Sequence, residues 1–192
     1  AQHPSAPRAT STIDLDDAAN NVSTLAAKTD ASGKTIDYHD EDNLTVGTVG
    51  ALSGLTAQDG DVTVDSGGIL TLEQSVAAGT GRVTLTAAGD ITQAAAGSIT
   101  AKELSARSAA GNIDLDDAAN NVQVLAAATD ATGKTIGYHD QDDLSIGTVG
   151  ALAGLSTQDG DVTVDTGGAL AVDRGIAAGT GRVTLTAGGD IT

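Results

Sequence analysis

The sequence contains no phenylalanine, tryptophan, methionine or cysteine, and only two tyrosines and two prolines among 192 residues. Aromatic side chains normally fill wide protein interiors, each burying on the order of 150–250 Å². A chain without them needs a narrow core that Val, Ile, Leu and Ala can fill. The absence of cysteine excludes a disulfide framework and a thiolate metal site. The hydrophobic content of 40% nonetheless predicts a folded chain.

Basic residues are also scarce, with 9 Lys and Arg against 26 Asp and Glu and a net charge of −17. Such a surface repels phosphate backbones, so we expect no nucleic-acid partner. No apolar run approaches the roughly 18 residues of a membrane span, so no membrane insertion is expected. The first residues lack the pattern of a signal peptide, which suggests a mature chain or a piece of a longer one.

An internal repeat organises the chain, because "IDLDDAANN" occurs at residues 13–21 and again at 113–121. Aligning 11–92 with 111–192 without gaps, we count 59 identities in 82 positions. The predicted organisation is therefore one continuous rod, in which the neighbouring repeats of the chain are each other's partners. Its predicted parts are the degenerate end of a preceding repeat (1–10), a first unit (11–110) and an incomplete second unit (111–192).

Short segments of alternating apolar and polar residues, separated by Gly, Asn and Asp, recur within each unit. They predict an all-β chain folded as a single-stranded parallel β-helix, or β-solenoid, with about 20 residues per coil and five coils per 100-residue repeat. In "GDVTVDSGG" we expect Val62 and Val64 to point inward and Thr63 to face water. In "GRVTLTAAGDIT" the expected inward residues are Val83 and Leu85.

The motifs "GDVTVDSGGILTL", "GRVTLTAAGDITQAAAGSITA" and "YHDEDNLTVGTVGAL" resemble the repeats of filamentous-haemagglutinin-like large exoproteins. These are adhesins of bacterial two-partner secretion systems. The resemblance covers nearly the whole chain and implies a right-handed β-helical shaft, secreted or held at the surface of a Gram-negative bacterium. It also implies export by an outer-membrane partner transporter. The secretion domain of that family is not recognisable in this sequence.

The acidic stretch "TIDYHDEDN" raises the question of a metal site. Imidazole and carboxylate ligands suit Zn²⁺, and carboxylates alone suit Ca²⁺. The candidate ligands are His39, Asp40, Asp42, His139, Asp140 and Asp142. The competing interpretation is a solvated coil corner, in which Tyr38 covers the aliphatic edge with its hydroxyl in water. In that case the Asp side chains accept hydrogen bonds from the N–H groups of the turn.

The segment "DLDDAANN" predicts a second corner, with Asp14 and Asp16 facing outward and a turn from Asp17 through Asn20 and Asn21. Asn side chains at stacked corners favour hydrogen-bonded ladders. We interpret this corner as structural rather than as a ligand site.

The predicted function is that of a structural shaft segment of an adhesin or exoprotein, with no enzymatic activity and no required cofactor. A module that binds Ca²⁺ or a cell-surface glycan or protein is the main alternative. A polysaccharide-cleaving β-helix is disfavoured, because such enzymes need basic groups to hold an acidic substrate. An ice-binding solenoid is disfavoured because charged residues interrupt the outward threonines.

Overall fold

The structure is a computed structural model that describes residues 8–16, 20–116 and 120–192, with Arg8 and Ala9 described by their backbone alone. Most of the predicted degenerate end, residues 1–7, lies outside the described residues. So does Asp17, where the sequence predicted the start of a turn.

The described residues form 26 β-strands and no helix. The strands are β1 (Arg8–Ala9), β2 (Ile13–Leu15), β3 (Thr24–Leu25), β4 (Ala27–Thr29), β5 (Ile36–Asp40), β6 (Leu44–Val46), β7 (Thr48–Val49), β8 (Leu52–Ser53), β9 (Leu55–Thr56), β10 (Val62–Ser66), β11 (Leu70–Leu72), β12 (Val76–Ala77), β13 (Arg82–Ala87), β14 (Ile91–Gln93), β15 (Ile99–Ser108), β16 (Ile113–Leu115), β17 (Asn121–Thr132), β18 (Ile136–Asp140), β19 (Leu144–Ile146), β20 (Thr148–Val149), β21 (Leu152–Ala153), β22 (Leu155–Gln158), β23 (Val162–Thr166), β24 (Leu170–Val172), β25 (Ile176–Ala177) and β26 (Val183–Ala187).

Parallel pairing stacks these strands into three faces of a rod. The first face runs β2, β5, β10, β13, β15, β17, β22 and β25. The second runs β3, β6, β11, β14, β16, β18, β23 and β26. The third runs β1, β4, β9, β12, β15, β17, β19 and β24. The strands β15 and β17 are long enough to turn from the third face onto the first. This topology confirms the predicted parallel β-helix.

Contacts between side chains on adjacent coils give the length of each coil. The contact from His39 to Asp65 spans 26 residues, and the contact from Arg82 to Glu103 spans 21 residues. Thr12 and Thr35, on the first coils, are separated by 23 residues. Paired residues on adjacent coils are separated by 20 residues for Arg8 and Lys28 and by 28 residues for Ala27 and Leu55, so most coils are longer than the sequence pattern predicted.

The two repeat units do not begin on the same face. Ile13 starts the first unit on the first face, four coils before Leu104, whereas Ile113 pairs with Ile91 on the second face. One 100-residue unit thus spans four complete coils and one further face of the next coil. The prediction of five coils per unit was wrong, because it assumed uniform coils shorter than the observed ones. Equivalent features of the two units consequently point in different directions.

The core is a thin stack of aliphatic layers built from the inward residues of each strand. Val62, Val64, Val83 and Leu85 are fully buried, while Thr63 between them is half-buried on the outer side. This confirms the predicted alternation, and it explains why the chain needs so few aromatic residues.

One feature interrupts the regular coils, and the sequence did not predict it. A small antiparallel hairpin, β7 with β8, projects where Gly50 has a φ of 62°. The second unit has the same hairpin in β20 and β21, with Gly150 at a φ of 58°. Left-handed backbone of this kind favours glycine. The hairpin accounts for the longer coil between Ile36 and Val62.

Candidate functional site

The acidic stretch ends strand β5, and its centre is a buried carboxylate. Ile36, Tyr38 and Asp40 alternate inward, so Asp40 is 0% exposed. One oxygen of Asp40 accepts hydrogen bonds from the Tyr38 hydroxyl at 2.9 Å and from the backbone N–H of Val22 at 2.9 Å. Its other oxygen accepts the N–H of Asp42 at 3.1 Å. Asp40 therefore ties its own turn to the preceding coil.

This arrangement corrects one part of the sequence interpretation and confirms another. Tyr38 was expected to leave its hydroxyl in water and Asp40 to be solvated, but both are buried. Strand alternation carries them inward, and each then needs the other as a hydrogen-bond partner. The predicted bonds between Asp side chains and the N–H groups of the turn are present.

The second unit repeats the network with nearly the same geometry. Asp140, also 0% exposed, accepts bonds from Tyr138 at 2.8 Å, Val122 at 2.9 Å and Asp142 at 3.1 Å. Burial raises the pKa of the Asp140 carboxyl, and the hydrogen bonds oppose this shift. Burial together with the bond to Asp40 raises the pKa of the Tyr38 hydroxyl.

The remaining candidate ligands point away from the buried carboxylate. His39 Nδ1 lies 2.8 Å from Asp65 in the following coil, and His139 lies 2.9 Å from Asp165. Asp42, in contrast, accepts a 2.7 Å bond from the Asn21 side chain in the preceding coil.

Asp142 accepts the same 2.7 Å bond from Asn121. In each unit the histidine thus faces the next coil, the first aspartate faces the interior, and the second aspartate faces the previous coil. Among the described residues, no group of three His, Asp or Glu side chains is placed to hold a metal ion. The metal site stays a prediction that this geometry does not favour.

The Asn corner of the second unit is held by hydrogen bonds between coils, although not by a ladder of stacked Asn side chains. Asn120 is fully buried, and its amide donates to the carbonyl oxygens of Leu115 at 3.2 Å and His139 at 3.1 Å. Its oxygen accepts bonds from the Gln93 side chain at 2.7 Å and the Ile99 N–H at 2.8 Å. This one side chain joins three successive coils, which is a structural role.

The outward carboxylates of the first unit crowd together. Asp14 and Asp37 are direct neighbours across the β2–β5 ladder. Burial raises the pKa of Asp37, and the charges of Asp16, Asp14 and Asp65 raise it further. In the second unit Gly137 replaces Asp37, so the row of carboxylates is not preserved.

Sequence reasoning missed a set of bonds between turns of adjacent coils. Asp59 adopts a φ of 59° and accepts both the N–H and the hydroxyl of Thr80, at 3.0 and 3.1 Å. Asp159 and Thr180 repeat this contact, and these bonds lower the pKa of Asp159. The regular spacing of Asp in "QDGD" and Thr in "GTGR" was the available signal. Arg82, in the same "GTGR" turn, pairs with Glu103 at 2.8 Å.

The fold and these contacts define a repeat protein of the parallel β-helix class. A family model described as "Repeats of unknown function (DUF5649)" matches residues 59–129. On the first face, successive coils of this stretch are each 21 residues apart, and the stretch crosses the boundary between the two units. The chain is similar to that family over these residues. No curated protein and no solved structure matches the chain.

Proposed function

We propose that the chain is a structural shaft segment of a secreted or cell-surface bacterial adhesin or exoprotein. It carries a functional region away from the cell and adds length with each repeat. The observation that supports this most strongly is the unbroken ladder through the boundary between the two units.

The boundary is packed like any other pair of coils. Leu104 pairs with Val83 on one side and with Leu125 on the other, and all three are buried. On the second face, Ile113 pairs with both Ile91 and Ile136. Because each coil contacts only its neighbours, the free energy of unfolding is approximately a sum of contributions from the coils and from the interfaces between them. Further units can therefore be added without changing the sequence of the existing ones.

The outer surface suits such a shaft. Net charge of −17 keeps rods apart in solution. Eight strands stack on the second face, which at about 4.8 Å per strand gives a rod on the order of 35–40 Å long. Among the described residues, no helix is long and apolar enough to span a membrane.

The cellular setting rests on the likeness of the coil motifs to filamentous-haemagglutinin-like repeats. That likeness supports display outside a Gram-negative cell and export through an outer-membrane partner transporter. Immunogold labelling of intact cells of the source organism, with antibody raised against this segment, tests the setting. We expect gold on the outer surface. Labelling that requires broken cells would overturn the proposed location.

The shaft role has its own test. Chains of two, four and six complete units, each ending in the same epitope, would be imaged by electron microscopy. Each 100-residue unit should add about 20 Å, because it contains four coils and one further face. Particles that grow in diameter rather than length would contradict the shaft. The Ca²⁺- or glycan-binding module has no observation in its favour among the described contacts.

A further inference from the structure

A groove lies on the outer side of the second unit, across strands β19 and β24, and has a volume of about 490 Å³. That volume lies in the range of small-molecule sites, roughly 300–1,000 Å³. Its lining is mostly apolar. The residues that line it include Asp143, Ser145, Ala169, Ala171, Asp190 and Thr192.

The ladder register fixes how these residues are arranged. Leu144 pairs with Leu170, and Leu170 pairs with Ile191, so their outward neighbours form rows along the rod. One row is Asp143, Ala169, Asp190. The Cα atoms of Asp143 and Asp190 are therefore two strand spacings apart, about 10 Å, with Ala169 between them.

The equivalent surface of the first unit carries bulkier side chains. The counterparts of Asp143 and Ala169 are Asn43 and Ile69, and Ile69 is 40% exposed where it stands out from the surface. Ala171 replaces Thr71, and Ser145 replaces Thr45.

Five of the eight lining positions differ between the units, against 23 of the 82 aligned positions overall. Three of the five differences shorten a side chain, and one, Asp143 in place of Asn43, adds a negative charge. The fifth places Gln123 where the first unit has Ser23. At positions 143, 145, 169 and 171 the second unit thus has one more carboxylate and three shorter side chains than the first.

Each carboxylate keeps an oxygen for a ligand. Asp143 uses one oxygen to accept the N–H of Ala169 at 2.7 Å. Asp190 is exposed, and among the described residues its side chain accepts no hydrogen bond, so its oxygens can accept one from a ligand.

We propose that this groove binds a linear aliphatic diamine or polyamine, with an ammonium group at each carboxylate and the methylene chain over the alanine floor. Charge complementarity selects a ligand with two separated positive charges, and the apolar floor selects the alkyl chain between them. A sugar is disfavoured, because none of the residues that line the groove offers an aromatic ring on which a sugar could stack. The inference does not depend on the shaft function.

The test is calorimetric titration of the whole chain with spermidine at low ionic strength. We expect one saturable site, with weaker binding of the shorter cadaverine and of the singly charged hexylamine. The double variant Ala169→Ile, Ala171→Thr fills the groove with the first unit's side chains and keeps the net charge. It should weaken binding about tenfold, and Asp143→Asn about fivefold.

A matched gain-of-function variant completes the experiment. Asn43→Asp with Ile69→Ala and Thr71→Ala should create a second site and raise the stoichiometry to two. Spermidine binding that is unchanged in the filled variant would mean general counterion attraction to an acidic protein, and would overturn the proposal. Absence of binding to the unaltered chain would do the same.

Discussion

The two repeat units share most of their sequence, yet equivalent residues differ in burial. Leu115 is fully buried between β14 and β18, whereas Leu15 is 41% exposed. Val83 is fully buried, while Val183 is 43% exposed on a strand with a described neighbour on one side only. The local sequence is the same in each pair. What differs is the coil stacked above or below.

The acidic corners show the opposite behaviour. Tyr38 and Tyr138 are both buried and donate to their Asp partners at 2.9 and 2.8 Å. Every contact of this network lies in its own coil or the preceding one, and both units provide these coils. Comparing the units therefore separates residues stabilised by local sequence from those that depend on neighbours.

The largest expected difference is between Val83→Asp and Val183→Asp. A carboxylate at Val83 would be buried without a partner and should cost about 4 kcal/mol or more of the free energy of unfolding. At Val183 it remains in water, and we expect about 1 kcal/mol. Urea unfolding followed by circular dichroism measures both. Equal losses would mean that neighbouring coils do not determine burial.

The Asn corner should show the next largest difference. Asn120→Ala leaves several buried groups without partners and should cost about 3 kcal/mol. Among the described residues, the Asn20 side chain makes one bond, to the Leu15 carbonyl at 2.8 Å. Asn20→Ala should accordingly cost about 1 kcal/mol. Amide hydrogen exchange at Ile99 adds a local readout, since its N–H should lose protection only in Asn120→Ala.

The tyrosine corners should respond alike. Tyr38→Phe and Tyr138→Phe each remove one hydrogen bond from a buried carboxylate, so each should cost about 1–2 kcal/mol. Because the networks match, the two losses should agree within about 0.5 kcal/mol. A much larger loss in one unit would show that the corners depend on more than the adjacent coil.

The pH dependence should differ slightly between the units. A pKa of Asp37 raised above its ordinary value of 3.8 means that the folded state binds the proton more tightly than the unfolded state. Its contribution to stability is fully present below about pH 3.8 and is lost as pH rises through the folded pKa.

We therefore expect Asp37→Asn to weaken the gain in melting temperature on acidification from pH 7 towards pH 4. A gain in Asp37→Asn equal to that of the unaltered chain would contradict this expectation. The raised pKa of Asp140 acts in the same direction, and the lowered pKa of Asp159 opposes it.

The smallest expected effect is that of metal ions. EDTA, millimolar Ca²⁺ or micromolar Zn²⁺ should leave the melting temperature unchanged, because His39, Asp40 and Asp42 do not converge. A rise of several degrees that disappears in His39→Ala/His139→Ala would establish the metal site that the sequence suggested.

The sequence predicted the parallel β-helix, the inward positions of Val62 and Val83, and hydrogen bonds from Asp side chains to the turn of the acidic corner. It predicted them because alternation and turn residues act within one coil, and because the long repeat shows that coils stack. It could not predict that Asp40 is buried. An aspartate in an acidic stretch suggests solvent, and its partner Val22 belongs to another coil.

The sequence by itself determined the class of fold, since a chain with a period-2 pattern, frequent turns and no large aromatic core has few other ways to bury its aliphatic side chains. The tertiary structure decided the length of each coil, the rotation between units and the groove beside Ala169. These depend on which residues become neighbours across coils. A hairpin such as β7–β8 changes which residues pair between adjacent coils, but it leaves the alternation of inward and outward side chains within each strand unchanged.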